Sequence, residues 1–174
     1  MSDTAVQTPA DIPAAPPETR HGALVTRSRG QVVLHPPRTE YLKVVGALKA
    51  DGFNMCADLC VVDYLTAAAA RPLPAGLVAG RFEVVVNLTD LSTAERVRVR
   101  VQVPGDDVAV ASLYDLYPGT EAMEREAWDL LGVTFTGHPD LSRILLPEEW
   151  VGHPLRKDEA TGRIPVQFKN GGSR

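Results

Sequence analysis

The sequence predicts an α+β fold: a mostly antiparallel sheet with helices packed on it, plus an extended C-terminal segment. Three observations carry that expectation. Two neighbouring stretches alternate apolar and polar residues with the period of two that a half-buried strand requires. Other stretches repeat apolar residues at helical spacing. The chain beyond Gly132 is rich in apolar residues and proline but keeps neither period.

Residues 1–22 combine prolines with Ala, Thr and acidic residues and hold almost no large apolar groups. Such a segment buries too little surface to offset its ordering entropy, so it reads as a disordered leader. Residues 23–158 form the expected domain and 159–174 an extended tail. The folded part begins near Leu24. From Pro37 to Ala50, Tyr41, Val44, Val45 and Leu48 share one helical face, and Asp51-Gly52 breaks the helix. Phe53 to Leu65 reads as a strand, followed by a Pro/Gly-rich loop from Arg71 to Gly80.

The clearest strands come next. Phe82, Val84, Val86 and Leu88 alternate with Arg81, Glu83, Val85 and Asn87. Val97, Val99, Val101 and Val103 alternate with Arg96, Arg98, Arg100 and Gln102. The short connection from Asp90 to Ala94 makes the pair an antiparallel hairpin. Its outer arginines read as a solvated face. Asp106 to Tyr117 looks helical, with Val108, Leu113 and Leu116 facing the core. After Pro118-Gly119, a second helix runs from Thr120 to Leu131. Thr120 is its expected N-cap, Glu121 and Glu124 lie near the positive end of its dipole, and Gly132 follows the last turn. Met123, Ala127, Leu130 and Leu131 form its apolar stripe.

The chain of 174 residues has 44% hydrophobic and 23% charged residues, an ordinary balance for one globular domain. A formal net charge of −4 argues against a general nucleic-acid binder. No apolar run approaches the ~18–20 residues that span a bilayer. The longest, Val61 to Ala70, is interrupted by Asp63 and Thr66.

From Glu124 to Asp158 the chain reads E-R-E-A-W-D-L-L-G-V-T-F-T-G-H-P-D-L-S-R-I-L-L-P-E-E-W-V-G-H-P-L-R-K-D. An E-R-E run before an acidic residue and an apolar pair, a G-H-P, an arginine before Ile-Leu and a second G-H-P-L-R-K-D stand in order. This closely resembles the signature of the 30 kDa subunit of respiratory complex I, the proton-translocating NADH:quinone oxidoreductase. The likeness extends more loosely over residues 41–168, including Leu113 to Pro118. It implies a structural subunit of the hydrophilic arm, peripheral on the cytoplasmic face of the membrane, with no redox centre or catalytic residue of its own. It further implies packing against the large, 49 kDa-type subunit that helps form the quinone site.

The residues also carry a physical reading. Glu124, Arg125, Glu126 and Asp129 lie within two turns of one helix, with Arg125 and Asp129 at i,i+4 spacing. Phe135, His138, Pro139, Leu141, Ile144, Leu145, Leu146 and Trp150 form an apolar, aperiodic run that needs a surface to pack against. The expected partner-interface residues are Glu124, Arg125, Asp129, His138, Arg143, His153 and Arg156. Arg143 is expected to hold an acidic group of the neighbouring subunit.

Cofactor chemistry has few footholds. An iron–sulfur cluster needs about four cysteines, and the chain has 2. Cys56 and Cys60 are expected on one face of a strand as small buried hydrophobes. No nucleotide-binding glycine motif or nucleophile elbow occurs. Two rivals remain. One is the equivalent scaffold of a related membrane-bound hydrogenase or deazaflavin-dependent dehydrogenase. The other is a stand-alone metal-dependent enzyme built on His138, Asp140, Glu148 and His153.

Overall fold

The structure is a computed structural model, and it describes residues 17–67, 71 and 73–159. The leader up to residue 16 and the tail from residue 160 lie outside the described residues. Ten elements follow in order: β1 (Thr19–Arg20), β2 (Ala23–Ser28), β3 (Gln31–His35), α1 (Tyr41–Ala50), β4 (Met55–Asp63), β5 (Phe82–Thr89), β6 (Arg96–Val103), β7 (Ala109–Ala111), α2 (Glu121–Leu131) and β8 (Thr134–Thr136). Six strands make the main sheet in the order β1-β2-β3-β6-β5-β4. Every neighbouring pair is antiparallel except β3 and β6, which run parallel.

The β5–β6 hairpin forms as its alternation requires. Phe82 pairs with Val103 and Leu88 with Val97, so the apolar set of each strand falls on the same face. That face is sealed, with Val84, Val86, Val97, Val99, Val101 and Val103 all buried. Helix α1 lays Tyr41, Val44, Val45 and Leu48 into the same core. It starts later than the sequence suggests, because Arg38–Glu40 first make a 3-10 turn. The core extends to Leu113, Val133 and Phe135 from the segments around α2.

Several expectations are corrected. The leader does not reach Gly22, since Thr19–Arg20 pair with Ala23 and Leu24. Strands β2 and β3 come from a stretch for which the sequence predicts no element. Two X-Gly turns create this meander. His21-Gly22 and Arg29-Gly30 all have positive φ, the geometry of tight hairpin turns. Asp106 to Tyr117 is not a helix: it holds the short strand β7, which pairs in parallel with β8, and then a turn. Strand and turn positions satisfy the apolar spacing there instead.

The cysteines do not share a face. A bulge between Cys56 and Asp58 inserts Ala57 without a partner and reverses the alternation. Cys56 sits opposite buried Leu88 and is half-buried, whereas Cys60 is exposed. The outer arginines are not simply solvated either. Arg100 donates to both oxygens of Glu83, at 2.8 and 3.1 Å, and Arg98 donates to Asn87. Glu83 is itself 1% exposed, and Arg71 of the preceding loop closes over it at 3.4 Å.

Candidate functional site

Helix α2 organises the segment that carries the sequence signature. It buries Ala127 and Leu131, as an amphipathic helix should, but it also buries two carboxylates, Glu124 and Asp129. Five residues apart on a helix of 3.6 residues per turn, they point in directions roughly 140° apart. Each therefore serves a different stretch of irregular chain. Thr120 precedes the helix but does not cap it with its side chain. Its hydroxyl donates to the Tyr117 carbonyl at 3.0 Å instead.

Glu124 faces the segment before the helix. Its Oε1 accepts the Leu113 N–H at 2.7 Å and its Oε2 accepts the Ser112 hydroxyl at 2.5 Å. Burial pushes this carboxyl up from its ordinary range, and the bonds from Ser112 and Leu113 only partly oppose that.

Asp129 faces the segment after the helix. Three successive amides, Ile144, Leu145 and Leu146, donate to its Oδ2 at 3.1, 2.8 and 3.0 Å. Arg143 Nη1 donates to Oδ1 at 2.5 Å. Burial raises the carboxyl, but these donors more than reverse it and hold it at about 2. The remaining donors of Arg143 reach the carbonyls of Trp150 and Gly152 at 2.7 and 3.2 Å. One arginine thus ties helix end, loop and returning chain together.

Arg125 does not pair with Asp129, whose oxygens are already filled. It contacts Glu121 one turn back and donates to Ser142 and to the Arg143 carbonyl. His138 accepts the Asp140 N–H on Nδ1, so its Nε2–H donates to the Glu121 carbonyl at 3.1 Å. His153 donates from Nδ1 to the Asp129 carbonyl at 3.0 Å and meets Trp128 edge-on. Gly132 makes that approach possible. Its φ is +73°, and a Cβ there would lie 2.7 Å from His153 Cδ2. Arg156 stacks over Phe82 and donates to Asp158, which pairs with Arg81. Arg81 in turn grips buried Asp63.

The structure therefore brings Arg125, Asp129, Arg143 and His153 into one cluster and places Glu124, His138 and Arg156 around it. The four residues of the metal-enzyme rival do not converge. No group of three or more His, Cys, Asp or Glu side chains able to hold a metal occurs among the described residues. Among the exposed side chains of this segment are four large apolar ones, Ile144, Leu145, Val151 and Leu155, interspersed with charged Asp140, Glu148, Glu149, Lys157 and Asp158. Sequence reasoning names the first two as part of an apolar run and passes over Val151 and Leu155. It also misses the Asp63–Arg81–Asp158 chain, which runs from buried Asp63 to exposed Asp158 and whose members lie far apart in sequence and carry no shared motif.

Residues 34–163 match the family described as respiratory-chain NADH dehydrogenase, 30 Kd subunit. The chain is 42% identical to the corresponding NADH-quinone oxidoreductase subunit of Bordetella petrii, over 83% of this chain and 74% of that protein. It is 41% identical to subunit 5 of the Thermus thermophilus enzyme, over 78% of this chain and 64% of that one. It is 37% identical to the corresponding subunit of the Geobacter metallireducens enzyme, over 82% and 85%. The chain thus spans less than two thirds of the Thermus thermophilus protein's length. A solved trypsin-resistant fragment of Nqo5 superposes with a TM-score of 0.60 at 35% identity, covering 69% of this chain and 90% of that one. A chain of an archaeal membrane-bound sulfane sulfur reductase shares the fold, with a TM-score of 0.61 at 19% identity, over 87% and 89%. With its signature segment clamped on α2 and its sheet shared with Nqo5, the chain belongs to the 30 kDa subunit family of respiratory-chain NADH dehydrogenases.

Proposed function

We propose that the chain is a scaffold subunit of the hydrophilic arm of a proton-translocating NADH:quinone oxidoreductase. In this reading electrons pass from NADH to quinone through other subunits, and this one positions them without a redox group of its own. It sits peripherally on the cytoplasmic face of the membrane, held there by its partners. No helix of the described residues is long and apolar enough to cross a bilayer.

One observation supports a docking role above the rest. The irregular segment 137–159 is fixed from within by Asp129, Arg143 and His153, while Ile144, Leu145, Val151 and Leu155 remain exposed on it. An exposed apolar surface on a rigid irregular segment is what a lasting protein interface uses. The proposed occupant is the large, 49 kDa-type subunit that helps form the quinone site. The seven residues Glu124, Arg125, Asp129, His138, Arg143, His153 and Arg156 shape and border this interface, with Asp129 and Arg143 acting from behind it as an internal pair.

Affinity purification of the tagged full chain from membranes, followed by mass spectrometry, tests the reading. Stoichiometric recovery of the large subunit together with NADH-oxidising subunits is expected. Recovery with hydrogenase or deazaflavin-dependent subunits would assign the scaffold to a related complex, and recovery of the chain alone would refute it.

A further inference from the structure

At one end of the sheet lies an open groove of about 960 Å³. It is bounded by the β2–β3 turn, the loop joining β5 and β6, and the start of β4. Four arginines line it: Arg27, Arg29, Arg96 and Arg98. On a chain of net charge −4 this is a local reversal of sign. Elsewhere the structure spends its arginines on carboxylates of its own, as Arg71, Arg81, Arg100 and Arg143 show. Here it does not. Among the described residues Arg29 and Arg96 have no carboxylate within ion-pair distance, Arg98 donates only to Asn87, and only Arg27 has a partner, the exposed Glu18. The turn fixes the backbone of Arg29 at its tip, since Ser28 and Gln31 pair on either side of it.

We propose that this groove binds an extended acidic segment of a neighbouring subunit of the same assembly, carrying carboxylates near an apolar side chain. The inference rests on the scaffold reading above. Free guanidiniums favour carboxylates, which they hold by paired hydrogen bonds. The exposed side chains of Met55 and Leu91 supply apolar contacts between them. Asp58 and Glu95 on the same wall repel a densely charged polyphosphate and favour carboxylates spaced apart along a polypeptide.

The test uses the assembled complex, purified through a tag on another subunit, with a photo-crosslinking amino acid at position 29 or, separately, at position 91. Co-purification of the chain is scored first and checks the scaffold reading alone. If the chain is absent, that reading falls and this inference with it. If it is present, crosslinks should map to an acidic segment of a neighbouring subunit. In addition, the double variant Arg29→Glu/Arg96→Glu should lower the chain's occupancy in the complex at least tenfold at physiological salt, with its own melting temperature unchanged. Crosslinks only to lipid, only to this chain's own residues 1–16, or to nothing would overturn the proposal. So would full occupancy of the double variant.

Discussion

Asp129 and Arg143 form a closed pair inside one chain. The carboxylate is wholly buried, and the guanidinium meets it at 2.5 Å while spanning to Trp150 and Gly152. The sequence suggests that Arg143 awaits an acidic group on a partner. The structure gives it that group fourteen residues earlier in its own chain, and the consequence for mutation changes accordingly.

Arg143→Ala should destabilise the isolated domain. Removing one member of a buried pair strands the other charge and costs about 3 kcal/mol, or roughly 6–12 °C in Tm for a chain of this size. Arg143→Lys recovers only part, because one ammonium cannot span the three acceptors. Hydrogen exchange should show the loss first at the amides of Ile144, Leu145 and Leu146. Unchanged melting and protection in the alanine variant would mean that the pair does not hold the segment.

The two buried carboxylates of α2 should give opposite pH dependences. The Asp129 carboxyl is depressed to about 2 from an ordinary 3.8, so its stabilisation is present above pH ~4 and is lost as pH falls from there through ~2. The Glu124 carboxyl is raised above its ordinary 4.5, so its contribution to stability falls as pH rises from ~4.5 through its folded value. Denaturant titrations across pH ~2–8 check this. Asp129→Asn should remove part of the acid loss. Glu124→Gln should leave stability at neutral pH equal or higher and flatten the slope above the ordinary glutamate range.

Gly132→Ala should cost about 1–3 kcal/mol, from a left-handed backbone and from the clash with His153. In a His153→Ala background the steric part disappears and only about 1 kcal/mol should remain. Equal costs in both backgrounds would show that the close approach does not matter.

Thiol labelling reports the bulge in β4. Burial pushes both thiols up, that of half-buried Cys56 to about 11, and exposed Cys60 should react with a thiol reagent at pH ~8 several-fold faster than Cys56. Equal rates would place both cysteines on one face and contradict the bulge.

The sheet hairpin and α1 were legible because one face of each is buried against one core, which leaves a period of two or 3.6 in the residues. The segment 106–117 misled because a three-residue strand and a turn also place apolar residues a few positions apart. Strands β2 and β3 carry only a weak signal: His21-Gly22 and Arg29-Gly30 flank Ala23 to Ser28, and two-residue turns ending in Gly can mark hairpins. The cysteine faces were unreadable, since a single inserted residue reverses alternation without altering composition. At the site, the signature segment announced its importance, but the direction of its charges did not show. Arg143 looks the same in sequence whether its acceptor lies across an interface or on the preceding helix.

Turnover per assembled complex separates scaffolding from catalysis most directly. Membranes from cells carrying Asp129→Asn or Arg143→Ala are assayed for NADH:quinone activity and for the amount of intact complex by quantitative mass spectrometry. Both should fall together, several-fold, with activity per complex within about twofold of the parent. Full assembly with activity per complex reduced by orders of magnitude would instead place this segment in the chemistry and contradict a purely scaffolding role.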